Sequence, residues 1–362
     1  MRLIPVFLFL AAVSCTTLFG LRTKRDGVSF FSAKDKSFRY VGRFDFTNKK
    51  QPRCWNPGAY VEVNFTGTFL EIEVNDEMRY GGHNYIEVIV DGLPAQRIRL
   101  KANSNVILIS DSLPDKEHHL LICKDTESGM GYIEFLGISC KSILPVKAKT
   151  KKIEFIGDSI TCGNGSDTSA VSCGEGTWYD QHNAYNSFGP MVARAFNADW
   201  LLSAVSGIGL TRSCCGLETT MPKVFDRINF DEGGPQWKFA GSDPDVIVIT
   251  LGQNDGIQDS TDYCTAYVTF VMKVRQFYKK ATVICSTSPM ANEKLQAQLN
   301  RYVPAVTAEM HRRGDLNVHP FLYAQSYRSG CFYHPTLEQH ALMAKELISF
   351  IGEVMAWDTR NQ

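Results

Sequence analysis

The hydrophobic periodicity of the chain changes near residue 150, and this change divides the sequence into two parts with different folds. From about residue 37 to residue 145, apolar and polar residues alternate in short runs between glycine or Asp-Gly turns, as in 60–66, 69–74 and 85–90. A two-residue period is typical of half-buried strands, and no helical pattern interrupts it. We therefore predict an all-β sandwich for residues 37–145, with its glutamates on a solvated face.

After residue 151, apolar runs of strand length alternate with longer stretches of helical period. Such an alternation is typical of a parallel sheet that is covered by helices on both faces. We therefore predict a three-layer α/β domain at residues 151–358 with a five-stranded parallel sheet. The predicted strands are 153–157, 199–205, 245–251, 281–287 and 316–322, and the predicted helices lie near 184–197, 262–280, 293–312 and 336–356.

A Gly-Asp-Ser tripeptide that ends at Ser159 directly follows the first of these strands. The carboxyl edge of an open sheet is where α/β folds build their sites, so we expect the serine hydroxyl at that edge. Serine is a weak nucleophile that needs a base, and His334 lies in a loop just before the last helix. The oxyanion of acyl transfer needs fixed donors, and the amides of Ser159 and Gly207 and the side chain of Asn254 are candidates.

Four blocks of the chain resemble, in order and context, those of the SGNH (GDSL-type) hydrolase superfamily, and they contain Ser159, Gly207, Asn254 and His334. The stretch Ile-Glu-Phe-Ile-Gly-Asp-Ser-Ile-Thr-Cys-Gly-Asn-Gly at 153–165 is most similar to carbohydrate esterase family 2, as is Ala-Val-Ser-Gly-Ile-Gly-Leu at 204–210. The resemblance covers roughly residues 38–356. It implies a jelly-roll domain before the SGNH domain. It also implies a serine esterase that removes O-acetyl groups from polysaccharide of the xylan or glucomannan type.

The chain departs from the superfamily pattern just before the histidine. Most SGNH enzymes carry an aspartate two or three residues earlier, and those positions are Phe332 and Cys331 here. The resembled family contains members that work as a Ser–His dyad, in which a backbone carbonyl orients the imidazole. We therefore expect a dyad of Ser159 and His334, with a main-chain carbonyl near Phe332 as the acceptor.

Alternatives stay open for the acid, the base and the function. Asp315 or Glu338 would supply the acid if the fold completes a triad. His340 is the runner-up base, although its place inside the last predicted helix favours packing. One competing function is a carbohydrate-binding protein whose esterase centre is weak or lost, which the missing aspartate suggests. The other is a lipase or thioesterase of the SGNH type, against which the β domain argues.

The charge balance and the residue spacings restrict the partners. Lys+Arg and Asp+Glu both number 38, so no overall field attracts nucleic acid or an anionic membrane. No spacing matches a zinc site, and we expect no metal or cofactor. The implied partner is an acetylated polysaccharide or oligosaccharide, bound by a monomer. Three aromatic residues of the long loops either stack on sugar rings or pack the loops, namely Trp178, Tyr179 and Trp237.

The N-terminus and the cysteine count both predict secretion. An apolar stretch from Leu3 follows Arg2, and it is too short to span a bilayer. We assign residues 1–20 to a signal peptide, and a dibasic motif at 22–25 extends the removed segment to residue 25 if a propeptide is present. Loss of Cys15 with this segment leaves ten of the eleven cysteines, an even number that suggests disulfides in an extracellular protein.

The disulfide connectivity does not follow from the cysteine spacing. A bond between Cys162 and Cys173 would clamp the loop beside the proposed nucleophile. The adjacent cysteines Cys214 and Cys215 are expected to pair with different partners.

Overall fold

The computed structural model describes residues 25–239, 241 and 243–359. The signal peptide predicted at residues 1–20 lies outside the described residues. None of the helices in the described part of the chain is long and apolar enough to cross a bilayer.

The first part of the described chain forms two antiparallel sheets that pack into a sandwich, as predicted. The strands are β1 (Ser29–Ser32), β2 (Arg39–Val41), β3 (Phe44–Asp45), β4 (Arg53–Cys54), β5 (Tyr60–Thr66), β6 (Leu70–Asp76), β7 (Tyr85–Val90), β8 (Gln96–Arg99), β9 (Ser104–Ser110), β10 (Glu117–Lys124), β11 (Ile133–Cys140) and β12 (Ser142–Leu144). The first sheet has the order β3-β4-β11-β6-β9, and β1 also pairs with β11. The second has the order β12-β5-β10-β7-β8, and β2 also pairs with β5.

The second part forms the predicted five-stranded parallel sheet, whose order is β14-β13-β15-β16-β17. Its strands are β13 (Lys151–Gly157), β14 (Ala198–Ala204), β15 (Val246–Thr250), β16 (Thr282–Ser286) and β17 (Val318–Phe321), and its helices are α1 (Phe188–Ala195), α2 (Met221–Val224), α3 (Ser260–Phe277), α4 (Glu293–Arg312) and α5 (Leu337–Met355). Helices α2, α3 and α4 pack on one face of the sheet, and α1 and α5 pack on the other. The short helix α2 has no counterpart in the sequence prediction.

Part of the outer face of the second sheet is not solvated, because the α/β domain covers it. In β5, Val61 and Val63 face the core of the sandwich. Tyr60 and Glu62 point to the opposite face, where they are 0% and 2% exposed. The Tyr60 hydroxyl donates to Asp199 of β14 over 2.7 Å. The prediction of a solvated glutamate face is therefore wrong at this position, because a pattern within one strand does not reveal which domain packs on it.

A buried arginine joins the two domains more deeply. The Arg43 guanidinium, 1% exposed, donates to Ser203 Oγ over 3.0 Å and to Glu154 Oε1 over 3.1 Å. It also donates to the carbonyl oxygen of Arg227 over 2.8 Å. Hydrogen bonds and a paired carboxylate offset the cost of burying such a charge. The sandwich and the α/β domain are therefore docked through specific polar contacts as well as a shared core.

The disulfides differ from both cysteine expectations. Cys173 pairs with Cys331, and Cys162 is a free buried thiol. The predicted Cys162–Cys173 bond is wrong because the Cys162 side chain points inward to a buried carboxylate, Glu127. Cys214 and Cys215 pair with each other, since the left-handed backbone at Cys215 (φ 62°) turns both thiols to the same side.

Candidate active site

Three loops meet at the carboxyl edge of the parallel sheet because their strands end in register. Gly157, the last residue of β13, lies opposite Ala204 of β14 and Thr250 of β15. The segments that follow these three residues therefore leave the sheet side by side. They carry Ser159, Gly207 and Asn254, so the sheet places the loops of all three predicted site residues at one edge.

The structure brings the predicted nucleophile and base together. The Nε2 atom of His334 lies 2.8 Å from the Oγ atom of Ser159, although the two residues are 175 positions apart in the sequence. The serine is 7% exposed, so its hydroxyl is reached from solvent only through the loops around it.

The second ring nitrogen of His334 faces main-chain oxygens. Its Nδ1 atom lies 3.2 Å from the carbonyl oxygen of Phe332 and 3.3 Å from that of Cys331. A carbonyl only accepts hydrogen bonds, so Nδ1 carries the proton and Nε2 is free to accept from the serine hydroxyl.

The carbonyls reach the imidazole because the backbone before it is left-handed. Phe332 and Tyr333 have φ values of 54° and 62°, a conformation that few non-glycine residues adopt. The turn also packs closely on Gly165, where an added Cβ atom would lie 2.5 Å from the Cys331 carbonyl oxygen. The Cys331 amide donates to the Gly165 carbonyl over 3.0 Å. The backbone geometry of this turn thus directs the carbonyl oxygens of Cys331 and Phe332 toward His334 Nδ1.

The alternative acid and base positions lie elsewhere in the structure. Asp315 is engaged by the guanidinium of Arg275, whose Nε atom lies 2.7 Å from Oδ2. Glu338 lies in the first turn of α5 and bonds to Thr336. His340 is fully buried, its Nδ1 accepts the Phe188 amide over 3.2 Å, and burial lowers its pKa to about 3.

The surroundings of His334 favour its neutral form. Burial lowers the pKa of the imidazole, and the electrostatic influence of the neighbouring His182 ring lowers it further. Hydrogen bonds to the carbonyls of Cys331 and Phe332 and the charge of Glu127 act in the opposite direction, but the pKa stays below its ordinary value. A neutral imidazole is the form that can accept a proton from serine.

Two of the three predicted oxyanion donors are available. Among the described residues, no protein acceptor bonds to the amides of Ser159 or Gly207. Gly207 has a left-handed backbone (φ 82°), and its carbonyl accepts the Cys214 amide over 2.8 Å.

The third predicted donor, the Asn254 side chain, is already engaged. Its Nδ2 atom donates to the Ile208 carbonyl over 2.8 Å and to Asp158 Oδ2 over 3.3 Å. Burial raises the pKa of Asp158 to about 7. To bind an oxyanion, Asn254 has to share or release one of these two bonds.

Two residues of the site had no signal in the sequence pattern. Glu127 comes from the loop between β10 and β11 of the sandwich, and its Oε2 atom accepts the amide of Ser206 over 2.6 Å. His182 is fully buried, and its Nε2 atom lies 3.5 Å from Glu127 Oε1. Both residues lie in loops without a recognisable motif, and only the docking of the two domains brings them to the edge of the sheet.

The aromatic residues of the loops divide between surface and core. Trp178 is 44% exposed, and beside the histidine loop Phe332 and Tyr333 are 57% and 69% exposed. Tyr179 is buried, and Trp237 packs against the Arg43 guanidinium. In the parts of the chain that the structure describes, no group of three acidic, histidine or cysteine side chains is placed to hold a metal ion.

A serine and an imidazole in contact at the carboxyl edge of a three-layer α/β domain, beside unpaired backbone donors, define a hydrolase of the SGNH type. Residues 155–342 match the model of the GDSL-like Lipase/Acylhydrolase family. Residues 40–146 match the model of the carbohydrate esterase 2 N-terminal domain. The chain belongs to carbohydrate esterase family 2, and the predicted two-domain architecture is confirmed.

Solved and curated relatives agree with this assignment. A family two carbohydrate esterase from Clostridium thermocellum, solved in complex with cellohexaose, is 32% identical with a TM-score of 0.81 over 88% of this chain and 99% of that one. An acetylxylan esterase / glucomannan deacetylase from Cellvibrio japonicus is 26% identical over 98% of this chain and 99% of its own length. Cellulase/esterase CelE from Acetivibrio thermocellus is 35% identical over 88% of this chain, but the alignment spans only 39% of CelE.

Proposed function

We propose that the protein is a secreted serine esterase that removes O-acetyl groups from polysaccharide of the xylan or glucomannan type. The observation that carries this proposal is the 2.8 Å contact between Ser159 Oγ and His334 Nε2, together with the carbonyls that hold Nδ1. The relative named as an acetylxylan esterase / glucomannan deacetylase supports the substrate class.

The proposed reaction is a two-step acyl transfer by a dyad. His334 Nε2 takes the proton of Ser159 as Oγ attacks the acetyl carbonyl, and the amides of Ser159 and Gly207 stabilise the oxyanion. Collapse of this intermediate breaks the ester bond, and the imidazolium gives its proton to the departing sugar hydroxyl. A water molecule then attacks the acetyl-enzyme, again with His334 as base, and acetate and the free serine are released.

The surface beside the site suits a sugar substrate. A depression of about 210 Å³ adjoins the histidine loop, and it is lined by polar and aromatic side chains and one methionine, namely Gln253, Asn292, Arg328, Phe332, Tyr333 and Met290. Exposed rings stack on the apolar faces of sugars, and amide and guanidinium groups bond to their hydroxyls. One chain carries the serine, the histidine and both amides, which supports action as a monomer.

The signal-like N-terminus and the two disulfides support an extracellular location, because disulfides persist in oxidising compartments.

One observation favours a second candidate, a carbohydrate-binding protein with a weak esterase centre. The side-chain amide of Asn254 already donates to the Ile208 carbonyl and to Asp158 in this structure. The two candidates differ in turnover, so acetate release from acetylated xylan and glucomannan separates them, with p-nitrophenyl acetate as a small substrate. The esterase proposal expects wild-type release that Ser159→Ala lowers by about 10⁴-fold or more. Equal, background-level release by both proteins, with retained glycan binding, would favour the binding protein.

A further inference from the structure

A carboxylate of the sandwich domain reaches the active site of the hydrolase domain. Glu127 is 1% exposed, and its backbone is fixed because its carbonyl oxygen accepts Lys124 Nζ over 3.0 Å and the Met130 amide over 3.1 Å. The side chain then extends out of the sandwich and into the loops that follow β13 and β14.

The two carboxylate oxygens have different partners there. Oε2 accepts the Ser206 amide over 2.6 Å and lies 3.6 Å from the Cys162 sulfur. Oε1 faces His182 Nε2 at 3.5 Å. Burial alone raises the pKa of Glu127, but the close approach of His182 and the hydrogen bond from Ser206 outweigh it, and the pKa is below its ordinary value. The group is therefore an ionised acceptor at neutral pH.

Ser206 is the residue before Gly207, so this bond anchors the segment that carries a proposed oxyanion donor. We call residues 205–210 the oxyanion loop. Other bonds also hold this loop, among them those from Asn164 Nδ2 to Ser206 Oγ over 3.2 Å, from the Cys214 amide to the Gly207 carbonyl over 2.8 Å and from Asn254 Nδ2 to the Ile208 carbonyl over 2.8 Å. At its far end, the Leu210 amide donates to the Asp255 carboxylate over 2.9 Å. The bond from Glu127 differs from these because it comes from the other domain and because its carboxylate accepts the amide of the residue directly before Gly207. Charge-assisted hydrogen bonds are shorter and stronger than neutral ones.

We propose that Glu127 is a positioning residue of the esterase, which holds the oxyanion loop so that the Gly207 amide points at the developing oxyanion. The inference rests on the proposed function. It makes the sandwich domain a structural part of the catalytic centre. Glu127 touches neither substrate nor reacting atoms, and it acts through the backbone of Ser206.

The proposal predicts a loss in kcat rather than in KM. The oxyanion exists only in the transition state, so a misplaced donor weakens transition-state binding and leaves ground-state binding almost unchanged. Removal of an oxyanion donor costs about 10²–10³-fold in kcat, so displacement of one is expected to cost about 10–100-fold.

Three substitutions separate the reach of the side chain from its charge. Glu127→Gln keeps an oxygen at full length for the Ser206 amide, and its kcat should stay within about fivefold of wild type. Glu127→Asp keeps the charge but is one methylene shorter, and Glu127→Ala removes the acceptor. Both should lose about 10–100-fold in kcat on p-nitrophenyl acetate and on acetylated xylan, with KM within about threefold. If Glu127→Ala does not fold, the proposal is still tested by whether kcat of Glu127→Gln exceeds that of Glu127→Asp.

Glu62→Gln is the matched control. Glu62 is also a buried carboxylate of the sandwich at the domain boundary, 2% exposed, but it pairs with Arg39 beside Asp199, near the amino end of β14. Its substitution should lower the melting temperature without a change in kcat.

Folded Glu127→Asp and Glu127→Ala variants that both keep kcat within threefold of wild type would overturn the proposal. A loss confined to KM would also overturn it. The same holds if kcat of Glu127→Asp equals or exceeds that of Glu127→Gln, because the charge of the side chain would then explain the effect without its length. Ser159→Ala, measured alongside, separates this inference from the proposed function. If Ser159→Ala is inactive and every Glu127 variant resembles wild type, only the positioning role fails. If Ser159→Ala matches wild type, the esterase itself fails.

Discussion

The Cys173–Cys331 disulfide provides a test of how the histidine loop is held. Cys331 occupies one of the usual acid positions before His334, and its carbonyl is one of the two acceptors of the imidazole. Cys173→Ala breaks the covalent bond and leaves Cys331, its carbonyl and the histidine in place. The variant therefore separates what the bond does for stability from what it does for geometry.

The loss of stability follows from the length of the loop that the bond closes. The two cysteines are 158 residues apart, and chain-entropy arguments give about 5 kcal/mol for a loop of that size as an upper value. With an unfolding entropy of about 2.1 cal/mol/K per residue, this corresponds to a fall in Tm of about 7–12 °C. The lower figure applies if both domains unfold together, and the higher one if the α/β domain unfolds alone.

The loss of activity should be much smaller, because hydrogen bonds hold the same loop. The Cys331 amide donates to the Gly165 carbonyl over 3.0 Å, the His334 amide donates to the Cys331 carbonyl over 3.0 Å, and the Gly330 amide donates to the His334 carbonyl over 2.6 Å. These three bonds keep the carbonyls in place without the sulfur link. At 25 °C we expect kcat of the folded variant to stay within about tenfold of wild type.

The assay compares thermal unfolding by circular dichroism with acetate release at 25 °C for wild type and Cys173→Ala. The control is the double variant Cys214→Ala/Cys215→Ala, which removes a disulfide between adjacent residues. That disulfide encloses no intervening chain. The control should keep its Tm within about 2 °C of wild type, because almost no loop entropy is at stake. The reasoning is refuted if Cys173→Ala shifts Tm by no more than the control. It is also refuted if the folded variant loses a hundredfold or more in kcat.

Three further predictions address the dyad and the oxyanion donors. If Asn254 shares or releases its bond to Ile208 or Asp158 to bind the oxyanion, Asn254→Ala should lower kcat by about 10²–10³-fold with little change in KM, because such a donor acts in the transition state. A mainly KM effect in steady-state kinetics would contradict this role. Asp315→Asn and Glu338→Gln should each keep most of the wild-type kcat/KM, whereas a hundredfold loss in a folded variant would indicate a triad. The rising limb of kcat/KM against pH should have its midpoint below 6.5, because burial lowers the pKa of His334 and its neutral form persists to lower pH. A midpoint at or above pH 7 would be inconsistent with this environment.

The parts of the fold that were predictable are those that local patterns determine. The five parallel strands and the four longer helices were found from periodicity alone, because each buries a face whose spacing is visible within one segment. The contact between Ser159 and His334 was anticipated because each residue lies within a recognisable block. That His334 Nδ1 faces main-chain carbonyls also agrees with the expectation drawn from the missing aspartate.

The parts that were not predictable depend on how distant segments pack. Glu62 alternates like a surface residue, yet it is 2% exposed because a second domain covers its strand. Glu127 and His182 carry no motif, and they meet only where the domains dock. The disulfide between Cys173 and Cys331 joins two loops of the α/β domain that are 158 residues apart in the sequence, so no local spacing indicated it.

The missing aspartate and the disulfide are connected through the energy of one turn. Without a carboxylate, the imidazole is oriented by carbonyls, and these reach it only because Phe332 and Tyr333 both adopt left-handed backbone conformations. Such conformations cost roughly 1–3 kcal/mol each in non-glycine residues. The upper value for the disulfide, about 5 kcal/mol, is of the same size as the cost of the pair. Hydrogen bonds thus set the geometry of the turn, while the disulfide between Cys331 and Cys173 offsets its conformational cost. Cys331, which occupies a position where most SGNH enzymes carry the acid, contributes to both effects.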